Sequence, residues 1–80
     1  MNKRQELEEI VLSTIITNYK TIFQAQELVK PAMFSEWREQ VADIIWERSA
    51  DMRKFDAQSL KAILPEETMQ QLTQMLARDL

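Results

Sequence analysis

Glycine, cysteine and histidine are all absent from this sequence of 80 residues. Without glycine, the chain lacks the phosphate-binding loops and dinucleotide fingerprints in which the backbone approaches a phosphate closely. Without cysteine and histidine, it has no Cys/His zinc site, no thiol nucleophile and no imidazole base. These absences exclude much of the usual catalytic chemistry, so the sequence predicts a non-enzymatic protein with no cofactor, no metal and no catalytic residues.

Carboxylates and serines are the remaining candidates for chemistry, and neither group forms a recognisable site. Glu8 and Glu9, like Glu66 and Glu67, are adjacent in sequence and would lie about 100° apart on a helix, which is poor geometry for sharing a proton. We therefore predict that both pairs are solvated charges that compensate the helix dipole. The serines have no histidine to act as a general base.

The length and the charge indicate one small domain, residues 1–80. Hydrophobic residues make up 45% of the sequence, which is enough to form a core. The net charge of −3 argues against a nucleic-acid-binding domain, because such domains usually carry a basic patch. The polar N-terminus predicts no signal peptide, the lack of a long apolar run predicts no membrane span, and the absence of cysteine fits the reducing cytoplasm.

Apolar residues recur at helical spacing along the chain, and no window alternates with the period of two that is typical of a strand. Pro31 and Pro65 interrupt the pattern. Ser35 and Asp56 are of the residue types that cap helix N-termini, and Phe34 is predicted to fill the core. The prediction is an all-α fold, a compact bundle of four to five helices, at about residues 3–18, 20–29, 35–48, 56–64 and 65–80.

Three apolar residues are candidate partner-binding residues. Trp46 points to the side opposite the main apolar stripe of its helix, so it either packs against another helix or belongs to a binding surface. Met69 and Met75 lie on the apolar stripe of the last helix, which either docks on this domain or awaits a partner helix. If Trp46 binds a partner, Trp46→Ala is expected to weaken association more than folding.

Three segments together resemble a known family. They are residues 6–13 (ELEEIVLS), residues 28–34 (LVKPAMF), and Phe55-Asp56 leading into Ser59-Leu60. Their order is similar to that in the N-terminal domain of the bacterial replicative DNA helicase (DnaB type), and the similarity covers roughly residues 6–64. Ser13 and Thr14 stand where that family commonly has a glycine, and residues 66–80 supply one helix where the family has a helical hairpin.

The resemblance implies a role in DNA replication. In that family the domain carries no ATPase residues, forms the collar of the helicase hexamer, and contacts primase and the helicase loader. We therefore expect a non-catalytic protein-interaction domain whose partners are primase, the loader or another copy, with no direct nucleic-acid contact and no membrane contact. Two alternatives stay open. One is the similarly folded helicase-binding C-terminal domain of bacterial primase, and the other is a freestanding small regulator, of phage origin for example, that blocks helicase assembly.

Overall fold

A computed structural model describes residues 2–53 and 55–79. Within these residues the chain forms five α-helices and one short 3-10 turn, and no strand occurs among them. The prediction of an all-α bundle of four to five helices is confirmed. The helices are α1 (Lys3–Thr17), α2 (Thr21–Leu28), α3 (Trp37–Ala50), α4 (Ala57–Lys61) and α5 (Glu66–Asp79), and the 3-10 turn is Pro31–Met33.

Helix α1 has a well-defined N-terminus and several neighbouring helices. Its N-terminus is closed by a capping box, in which the Asn2 side chain accepts a hydrogen bond from the Gln5 backbone N–H at 2.8 Å. The Gln5 side chain accepts one from the Asn2 backbone at 3.4 Å in return. The helix packs against α2, α3 and α5, while α3 packs against α1, α2, α5 and the 3-10 turn, so these two helices connect most of the fold.

One hydrophobic core connects all five helices. Phe34 is 5% exposed and fills the space after the 3-10 turn, so its predicted core position is confirmed. Close packing of this kind is what stabilises a domain of 80 residues in which no disulfide contributes. The side chains with the least exposure are Leu12, Ile15, Ile22, Val41, Ala42, Ile45, Leu60, Leu72 and Met75.

The start of α3 differs from the prediction. Ser35 does not cap the helix; the cap position is Glu36, which has φ 56° and makes no side-chain capping bond. The Arg38 backbone N–H donates to the Ser35 carbonyl at 3.1 Å, so residues 35–38 form a tight turn with Glu36 at the position where glycine is usually found. Ser35 is used elsewhere, because its backbone N–H and its hydroxyl both donate to Glu8 on α1.

The end of α3 is a Schellman motif with a methionine in place of the usual glycine. Met52 has φ 58°, and its backbone N–H donates to the Ser49 carbonyl at 3.1 Å. The Arg53 N–H donates to the Arg48 carbonyl at 2.7 Å, which completes the motif. The glycine-free chain therefore places two ordinary residues, Glu36 and Met52, in backbone regions that favour glycine.

Helices α4 and α5 are separated by a short turn. The predicted cap at Asp56 is confirmed, since its side chain accepts a hydrogen bond from the Ser59 backbone at 2.8 Å. Helix α4 ends at Lys61, whereas the sequence predicted a helix that continues to residue 64. Helix α5 begins at Glu66, one residue after the predicted start at Pro65, and the Pro65 carbonyl accepts the Met69 N–H at 2.9 Å in its first turn.

Candidate functional site

The prediction that Glu8 and Glu9 are solvated is wrong. Glu8 is 7% exposed and Glu9 is 3% exposed, so both carboxylates face the interior of the bundle. Charged side chains are rarely buried unless they are paired, because the loss of water costs several kcal/mol per ion. Each glutamate has partners from distant parts of the chain.

Glu9 connects three helices through two arginines. Arg38 on α3, itself 6% exposed, donates from Nε and Nη2 to Glu9 Oε2 at 2.8 and 2.5 Å. Arg78 in the last turn of α5 donates to Glu9 Oε1. The Arg38 guanidinium also lies 5.0 Å from the centre of the Trp37 ring, a distance at which a cation and an aromatic face attract. Glu9 therefore ties α1 to both α3 and α5.

Glu8 links α1 to the turn before α3. Its Oε1 accepts the Ser35 backbone N–H at 2.6 Å and the Ser35 hydroxyl at 3.1 Å. Arg4, one turn earlier on α1, places its Nε 3.6 Å from Glu8 Oε2 and donates to the Met33 carbonyl at 3.0 Å. These contacts hold the N-terminal half of α1 against the segment that connects α2 with α3.

The burial of the two glutamates determines which side of α1 faces water. Leu7 is 62% exposed and Ile10 is 52% exposed, although both are apolar. With about 100° of rotation per residue, Leu7, Ile10 and Thr14 lie within one narrow arc, roughly opposite the buried arc that holds Glu8 and Glu9. We call these three residues the outer face of α1. The helix thus buries two carboxylates beside Leu12 and Ile15 and exposes two apolar side chains, which departs from the usual amphipathic pattern.

Trp46 makes contacts within the domain. Its indole Nε1 donates to the Val29 carbonyl at 3.2 Å, and its ring meets the Phe34 ring edge-on, with the centres 5.8 Å apart. The side chain is partly buried against the core. These contacts are those of a residue that packs against a second layer, which is one of the two roles that the sequence left open.

The two methionine candidates lie on the inward side of α5. Met75 is 1% exposed and belongs to the core. Met69 is partly buried and also lines a shallow groove of about 390 Å³ with Lys61, Glu66, Gln70, Thr73 and Gln74. The structure does not bring Trp46, Met69 and Met75 together on a shared exposed surface, and their role in binding a partner stays a prediction.

A small polar cleft of about 170 Å³ opens beside the Glu9 cluster. Its lining includes the Glu9, Arg38 and Arg78 side chains, together with Trp37, Gln71, Gln74 and Met75. Within residues 2–53 and 55–79, no group of three or more acidic side chains is arranged to hold a metal ion. In that same part of the chain, no helix combines the length and the apolar character needed to cross a membrane.

Comparison with known proteins identified no relative of this chain. No family model matches the chain, and neither a curated protein nor a solved structure matches it.

Sequence reasoning missed the outer face of α1. Leu7, Val11 and Ile15 follow one another at i, i+4 and i+8, a spacing that predicts one shared apolar face, but of the three only Ile15 is fully buried. A signal was present in the helix itself. Glu9 occupies the same side as Leu12 and Ile16, so a core-facing helix had to bury a charge or turn an apolar edge outward.

Proposed function

We propose that this chain is a non-catalytic protein-interaction domain of the bacterial replication machinery, and that it docks through the outer face of α1. The observation that carries the proposal is the exposure of Leu7 and Ile10 on a helix whose opposite face buries two glutamates. Such a role belongs in the cytoplasm.

Burial of the exposed Leu7 and Ile10 side chains would favour association with a partner. Fully burying a leucine or isoleucine side chain contributes about 1.5–3 kcal/mol, and more than half of each side chain faces water here. Covering Leu7 and Ile10 would therefore contribute on the order of 3 kcal/mol to association. The Glu9 cluster ties α1 to α3 and α5, so docking on the outer face needs no reorientation of the helix and costs only the ordering of the side chains.

The connection to replication comes from the resemblance to the helicase N-terminal domain. The first of the resembling segments, residues 6–13, lies within α1, and the third leads into the Asp56-capped helix. On this proposal the partners are primase, the helicase loader or the replicative helicase itself. The lack of histidine and cysteine agrees with a role in binding rather than in catalysis.

Binding to purified replication proteins tests the proposal. The chain is immobilised and exposed separately to primase, helicase loader and replicative helicase, with binding followed by biolayer interferometry. We expect one of them to bind and Leu7→Gln/Ile10→Gln to weaken that binding at least about tenfold, the equivalent of about 1.4 kcal/mol. Glutamine forms helices well, so the variant is expected to fold.

A matched control variant distinguishes binding through the outer face of α1 from nonspecific hydrophobic binding. Met52 is 91% exposed and Ile63 is 44% exposed, and both lie outside α1. Met52→Gln/Ile63→Gln removes the same amount of apolar character and should leave binding unchanged. Primase binding would favour the helicase-type domain, and helicase binding would favour the primase-type domain or a regulator. If none of the three proteins binds, the replication assignment is wrong.

A further inference from the structure

We draw no further inference here: the strongest candidate, the exposed acidic face along α3 that Glu39, Asp43 and Glu47 form, carries none, because no second feature of the described residues indicates a ligand or partner that covers it.

Discussion

Arg38 on α3 and Glu9 on α1 form a buried ion pair, in which Arg38 Nε and Nη2 both donate to the same carboxylate oxygen at 2.8 and 2.5 Å. The pair lies 29 residues apart in sequence and joins two helices of the core. Together with the buried Leu12 and Ile15 on the same side, it holds this side of α1 against the core. As a consequence, Leu7 and Ile10 face water, and the surface that we propose for partner binding follows from an interaction on the other side of the helix.

The two arginines that contact Glu9 should differ in their effect on stability. The Arg38 side chain is 7% exposed and that of Arg78 is 52% exposed. We expect Arg38→Ala to lower the free energy of unfolding by about 3 kcal/mol, because it removes the buried partner of a buried carboxylate. Arg78→Ala should cost about 1 kcal/mol or less, since a half-exposed pair is screened by water. Urea unfolding followed by circular dichroism measures both, and equal losses would contradict this account of the cluster.

Met52→Gly should stabilise the protein even though it removes a large side chain. Met52 has φ 58° and is 91% exposed, so glycine would relieve the backbone without losing packing. We expect a gain of about 0.5–1 kcal/mol in the free energy of unfolding. Ala50→Gly, two residues earlier and inside the helix, is the control and should cost a similar amount. A loss of stability in Met52→Gly would show that this turn relaxes differently in solution.

Trp46 contributes to folding through its contacts with Val29 and Phe34. Trp46→Phe keeps an aromatic ring against Phe34 but loses the hydrogen bond to the Val29 carbonyl, so a loss of about 1 kcal/mol is expected. Trp46→Ala removes both contacts and should cost about 3 kcal/mol. The sequence alone suggested a larger effect on association than on folding. Melting curves and partner binding, measured in parallel on both variants, decide between the two roles.

Local signals in the sequence predicted the helices well. The all-α class follows from apolar spacing, and the start of α4 follows from the side-chain chemistry of Asp56. Met75, which the sequence placed on the apolar stripe of the last helix, is buried. The last residue of that predicted helix, residue 80, lies outside the described residues. These features depend on residues within one or two helical turns of each other, so they can be predicted from one sequence.

Long-range and backbone features were not predictable in the same way. Glu9 has the same local sequence whether it is solvated or buried, and only the approach of Arg38 and Arg78 decides between the two. The departure of Ser35 from its expected capping role also depends on a distant group, Glu8. The positive φ of Met52 has no signal in the sequence, because glycine usually occupies this position; here the two Schellman hydrogen bonds hold a methionine in it.

The central claim is that the outer face of α1 binds a protein partner, and amide chemical shifts measured residue by residue test it most directly. The ¹⁵N-labelled chain is titrated with whichever of primase, loader or helicase binds it. The account predicts that the largest shift changes fall on residues 3–14 of α1, around Leu7 and Ile10. Changes centred on α5 near Met69, or on α3 near Trp46, with α1 unaffected, would contradict it.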